Sequence, residues 1–220
     1  MKILIVAAHP DDEVLAMGGT IARLTSQGNE VQVVFLATGM LARGISQRHL
    51  QGLQKLRQDS RRAAKLLKTR PPVFGRLPDN QLDTVPLLKV IQIVGEQIKR
   101  VEPSVIYTHW QGELNVDHQI AHRAVVTATR PFLRNVTAVY AFSVPEATMY
   151  VPENDFQPNY YVDISKTLKL KIEAMNLYST EQRQKPHVRS SEGIKTVAAY
   201  YGFMSGLGYA EAFRLLRKIE

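Results

Sequence analysis

The chain predicts an α/β fold in which a mainly parallel sheet carries helices on both faces. KILIVAA (2–8), EVQVVFLAT (30–38) and PSVIYTH (103–109) are short continuous apolar runs, the pattern of strands covered on both sides. The segments between them place apolar residues three and four apart, the pattern of amphipathic helices. Strand and helix thus alternate through the first 130 residues, as in a wound parallel sheet.

Each element follows from its own residues. The first strand runs into AHPDDE, whose acids open a helix, and the 30–38 strand comes next. Leu50, Leu53, Leu56, Ala63, Ala64 and Leu67 then mark the buried face of a helix whose other face carries Arg57, Arg61 and Lys65. VFGRLP takes the place of the third strand, and a helix is expected over 85–100. After the 103–109 strand comes a helix over 117–130. Strands at 138–144 and 159–164 and helices near 167–178 and 191–201 complete the pattern, with VPENDFQPN (151–159) as a long surface loop. The tail GYAEAFRLLRKIE fits helix and strand equally well. No repeat or linker divides the chain, so 1–220 is expected to be a single domain with a substantial core.

Composition narrows the chemistry. There is no cysteine, so disulfides and thiolate ligands are excluded, and any metal must be held by histidine and carboxylate. No basic, apolar and small-residue leader opens the sequence, and no apolar run nears the roughly 18 residues of a membrane span, so a soluble cytoplasmic protein is expected. The net charge of +8 is concentrated in 43–76, where ten Lys and Arg stand against one acid, Asp59. Such a segment draws anions or is simply a solvated helix face. No aromatic residue interrupts the basic helix to stack a base, so nucleic acid is not expected as a partner.

In a wound parallel sheet, ligands bind beyond the carboxyl ends of the strands, and AHPDDE occupies the first such loop. Acids there cap a helix N-terminus, but capping does not explain His9. A divalent cation explains both, since His nitrogen and Asp oxygen are ordinary zinc ligands and the ion offsets the repulsion among Asp11, Asp12 and Glu13. A third ligand must come from another strand end, and YTHWQGELNVDHQIAHRAV offers His109, His118 and His122. Three protein ligands and an open position describe a catalytic site. Phosphate-transfer folds fit less well: a receiver domain needs an aspartate ending its third strand and a lysine ending its fifth, and a haloacid-type phosphatase needs D-x-D.

These stretches carry a family resemblance. AHPDDE (8–13), GGTIARL (18–24), LPDNQLD (77–83), ELNVDHQIAHRAV (113–125), KPHVRSSE (185–192) and YAEAF (209–213) resemble the PIG-L/LmbE family of metal-dependent N-deacetylases. The resemblance implies a Rossmann-like three-layer sandwich and hydrolysis of an N-acyl group, usually acetyl from an amino sugar of the N-acetylglucosamine type. Matched position by position, His9, Asp12 and His118 correspond to the metal ligands, Asp11 to the general base and Asp117 to a residue that orients the site. Zinc is the expected ion, with iron, manganese or cobalt as alternatives.

The chain departs from the family pattern at Asn115, where some members carry a histidine. An amide donates to an oxyanion but is no general acid, which makes Asn115 a substrate-binding candidate; the PHxRS segment of KPHVRS resembles one that recurs in a branch of the family, and that resemblance makes His187 the candidate substitute. Arg189 clamps a sugar or phosphate, or pairs with Glu192. Ser60 and Lys68 replace the Glu and Gly of many relatives, and Asp79 has a role by similarity only. The basic segment favours a phosphate- or nucleotide-linked substrate, and relatives suggest a homo-oligomer. The alternative to an enzyme is a metal-containing protein that binds an acylated or phosphorylated glycan without turnover, which has no need of Asp11.

Overall fold

The computed structural model describes residues 1–37, 47–132, 135–152 and 156–220, with the side chains of 47–49 left aside. Thr38 at the end of the expected second strand, Arg43 and Arg48 of the basic segment and 153–155 of the expected loop therefore lie outside the described atoms.

Chain order is β1 (Lys2–Ala7), α1 (Asp12–Ser26), β2 (Glu30–Ala37), α2 (Gln47–Leu66), β3 (Val73–Leu77), a 3-10 turn at Leu82–Thr84, α3 (Leu87–Val101), β4 (Val105–His109) and α4 (Val116–Ala128). The second half adds β5 (Ala138–Phe142), α5 (Pro145–Met149), β6 (Tyr160–Asp163), α6 (Leu168–Leu177), α7 (Ser191–Ser205) and β7 (Ala210–Lys218). One seven-stranded sheet has the order β3-β2-β1-β4-β5-β7-β6. The first five of these strands are parallel, whereas β7 runs antiparallel to both β5 and β6.

The two-residue period of β1 divides the core. Ile3, Ile5 and Ala7 face a layer that includes α1, α2, α6 and α7, while Leu4 and Val6 face α3 and α4. This is the expected three-layer α/β sandwich. The ambiguous tail resolves as β7, because β5 offers an open edge and β7 satisfies it while pairing β6 on its other side. The 151–159 segment is only partly a surface loop, since Phe156 is buried against Trp110 and Ala141.

Helix α1 is kinked at Met17, whose φ of −145° breaks the hydrogen-bond ladder. The amides freed there do not go unpaired. Gly19 and Thr20 donate at 3.0 and 2.6 Å to the buried carboxylate of Glu211 on β7, which also takes the Lys171 ammonium at 2.5 Å. Glu211 thus caps the second half of α1 as an acid caps any helix start. The packing is close enough that a Cβ on Gly19 would lie 2.8 Å from the Ile164 side chain.

Candidate active site

Strands β1 and β4 are adjacent, but the chain leaves them towards opposite faces, into α1 and α4. Their carboxyl ends therefore border the crevice in which wound sheets bind ligands. His9 stands in the loop after β1, Asp12 at the first residue of α1 and His118 in the first turn of α4.

Three donor atoms converge there. Asp12 Oδ2 lies 3.5 Å from His9 Nδ1 and 3.4 Å from His118 Nε2, and the two nitrogens are 3.3 Å apart. A tetrahedral ion with bonds of about 2.0–2.1 Å has ligand-to-ligand edges of about 3.3–3.4 Å. The donor set therefore fits a small divalent cation. The opposite nitrogens support the same geometry, because His9 Nε2 meets Asp117 Oδ2 at 2.9 Å and His118 Nδ1 meets Glu113 Oε2 at 2.7 Å. An imidazole that gives its proton to a carboxylate on one side presents a lone pair on the other. Two lone pairs at 3.3 Å repel unless a cation or a proton lies between them. Burial alone would lower both histidines, but the surrounding acids override it and raise His9 to about 10 and His118 to about 9. Asp12, although buried, is held well below the ordinary carboxylate range by His118, His109 and His9.

Asp117 and Glu113 are fixed in turn. Asp117 accepts the Asn80 and Leu82 amides of LPDNQLD at 2.7 and 2.9 Å, and Asp79 Oδ1 lies 3.4 Å from His9 Nε2. Glu113 is fully buried and accepts from His109, His118, Thr148 and the Val144 amide. Desolvation would raise its carboxyl, yet these partners hold it at about 2. His109 uses both ring nitrogens in this network, taking the Ala8 amide on Nε2 at 2.9 Å and meeting Glu113 through Nδ1 at 2.9 Å. His122 Nδ1 reaches the His109 carbonyl at 2.8 Å. Of the three histidines left open by the spacing, only His118 joins the donor triad.

The triad borders a cavity of about 550 Å³ with both polar and apolar walls. Asp11 lines it with a backbone φ of 114°, and burial pushes its carboxyl well above the usual range even though Arg189 pulls it down. Asn115, His187 and Arg189 also line the cavity. Asn115 caps α4 by accepting the Asp117 amide at 2.8 Å, and its own amide donates to Asn80 at 2.9 Å. His187 Nδ1 accepts the Arg189 amide at 3.1 Å, which leaves Nε2 to carry the proton of the neutral ring. The expected Arg189 to Glu192 pair does not form, because Glu192 takes Lys185 at 2.6 Å while Arg189 reaches Asp11, Glu146 and Glu181. Glu113, Glu146 and Glu181 went unrecognised in the sequence, where isolated acids in loops and short helices look like solvated ones.

The basic face of α2 is committed in part. Arg57 and Arg61 lie over the Phe74 ring at 5.4 and 5.2 Å, and Lys55 and Arg62 approach Asp59 at 3.3 and 3.6 Å. Among the described residues, no helix is long and apolar enough to cross a membrane.

Fold and site together define a wound α/β protein with a His/His/Asp donor cluster at the carboxyl edge of its sheet. The PIG-L model, described as GlcNAc-PI de-N-acetylase, matches residues 4–129, and the chain belongs to that family. The diacetylchitobiose deacetylase of Thermococcus kodakarensis is 27% identical over 228 residues, covering 98% of this chain and 83% of that protein. Among solved structures, the N,N'-diacetylchitobiose deacetylase of Pyrococcus horikoshii superposes with a TM-score of 0.79 at 22% identity, over 98% of this chain and 84% of that one. The 4-carboxy-2-hydroxymuconate hydratase of Pseudomonas putida superposes almost as well, with a TM-score of 0.78 at 21% identity over 100% and 98% of the two chains. The shared fold by itself therefore does not select the reaction.

Proposed function

We propose that the protein is a metal-dependent N-deacetylase that removes an acyl group, acetyl by preference, from an amino-sugar derivative. The observation that carries this reading is the convergence of His9, Asp12 and His118 donor atoms at 3.3–3.5 Å beside the buried carboxyl of Asp11, in a chain of the GlcNAc-PI de-N-acetylase family. A divalent ion held by those three residues, zinc by ligand type, would supply an activated water and a Lewis acid for the acyl carbonyl.

The chain's own residues do the rest. Asp117 and Glu113 keep the two imidazoles in the tautomers that present lone pairs to the cation. Asp11 accepts the proton of the attacking water, and its raised affinity for protons suits that task. As the acyl carbon becomes tetrahedral, its developing oxyanion takes a hydrogen bond from His187 Nε2 or the Asn115 amide, both of which border the cavity. The amine leaves once protonated, by Asp11 returning its proton or by His187. Arg189 sits at the same wall. A phosphate or nucleotide group on the sugar would be recruited by the basic face of α2 rather than held in this acid-rich pocket.

Acetate release from N,N'-diacetylchitobiose and a panel of N-acetyl amino sugars, with metal analysis of the same preparation, tests the reading. Chelation should abolish release, and one equivalent of a divalent ion should restore it. Stoichiometric metal without acetate release from any of these amides would favour a glycan-binding protein and end the deacetylase reading.

A further inference from the structure

Arg189 makes four charged hydrogen bonds to three acids drawn from different parts of the chain. Its Nε and Nη2 fork onto Glu146 of α5 at 2.7 and 2.6 Å, while Nη1 bridges Asp11 at 2.7 Å and Glu181, beyond α6, at 2.9 Å. Four of the five N–H donors of a guanidinium are thereby committed. Asp11, for its part, holds a left-handed backbone that residues with a side chain avoid, and Arg189 is its ion-pair partner among the described residues. A planar, forked cation is suited to bridging acids at fixed angles, which an ammonium is not.

We propose that Arg189 is a positioning residue for Asp11 and not a clamp for substrate phosphate. Glu146 and Glu181 fix the guanidinium, and the guanidinium fixes the carboxylate that takes the proton of the attacking water. The inference rests on the reading of Asp11 as the general base.

Steady-state deacetylation by the metal-loaded wild type, R189M, R189K, D11N and D11N/R189M tests it. R189M should lower kcat about 100-fold, the scale on which a misplaced catalytic group is felt, with KM changed by less than about threefold and the metal content unchanged. R189K should recover only part of that loss, and added guanidinium ion should restore turnover to R189M. D11N and D11N/R189M should turn over at the same rate, because an arginine acting through Asp11 has nothing left to position. A rise in KM with kcat preserved, or a further loss when R189M is added to D11N, would overturn the proposal. Should R189M fail to fold, E181Q removes a single partner of the guanidinium and should lower kcat with KM unchanged; an unchanged kcat would count against the proposal. If the wild type releases no acetate, the deacetylase reading fails instead. Crystal structures of wild type and R189K then decide the positioning role: the Asp11 carboxylate is expected to turn away from its wild-type position in R189K while its backbone, held by Glu13 and the start of α1, stays in place, and an unmoved carboxylate refutes it.

Discussion

Asp11 and Glu113 are both buried acids, yet their surroundings shift their proton affinities in opposite directions. Burial raises the proton affinity of Asp11, with Asp12, Glu181 and Glu13 adding to it and Arg189 opposing it, while burial would raise Glu113 too but the His118 and His109 imidazoles override it and bring it down. Replacing Asp11 by Asn should therefore leave the metal in place and slow acetate release by about 100-fold or more, within the range of lost general-base catalysis. Metal analysis and a rate measurement on the same sample would show it, and an equal rate would remove Asp11 from the chemistry. Glu113→Gln should act differently, since it spoils the support of His118. Metal affinity is expected to fall about 10- to 100-fold, measured by competition with a chromophoric chelator. Unchanged affinity would make Glu113 a packing group only. Asn115 is bonded as a helix cap as well as lining the pocket, so Asn115→Ala also loses about 1 kcal/mol of capping.

At the scale of elements, the kink in α1 ties the site to the last strand. The helix begins with Asp12 of the donor triad, breaks at Met17 and restarts on the Glu211 carboxylate of β7, which is itself paired with Lys171 of α6. Three elements distant in sequence are thus held by one buried acid. Glu211→Gln keeps the shape but leaves Lys171 buried without a counter-charge, and such broken pairs cost about 3–5 kcal/mol. Calorimetry should show a large drop in Tm, whereas Lys171→Met/Glu211→Met, which removes both charges, should be less destabilised than Glu211→Gln. The opposite ranking would mean that the hydrogen bonds to Gly19 and Thr20 dominate.

For the whole molecule, the basic excess and the acids of the pocket come from different stretches of the sequence. The net charge of +8 has its largest excess in 43–76, while the described walls of the pocket are rich in carboxylates. Long-range attraction of an anionic glycan and close binding of it are then different events, and only the first is screened by salt. With a phosphorylated N-acetyl amino sugar, KM should rise as salt is raised while kcat holds, and with N,N'-diacetylchitobiose it should stay level. Equal behaviour of the two substrates would dismiss electrostatic recruitment.

The sequence alone determined the alternation of strand and helix, the parallel sheet and the loop after the first strand that carries His9 and Asp12. Those features are local, because a buried strand needs a continuous apolar run and a helix start attracts acids. Spacing left His109, His118 and His122 open and only the family resemblance pointed to His118; the tertiary structure supplies the physical reason that His118 meets His9, since Glu113 and the Ala8 amide occupy both ring nitrogens of His109. It also decided that the tail is a strand and that Arg189 turns to Asp11 rather than Glu192. Each of these depends on partners tens of residues or more than a hundred residues away, so packing of the whole chain is what selects among options that are locally equivalent.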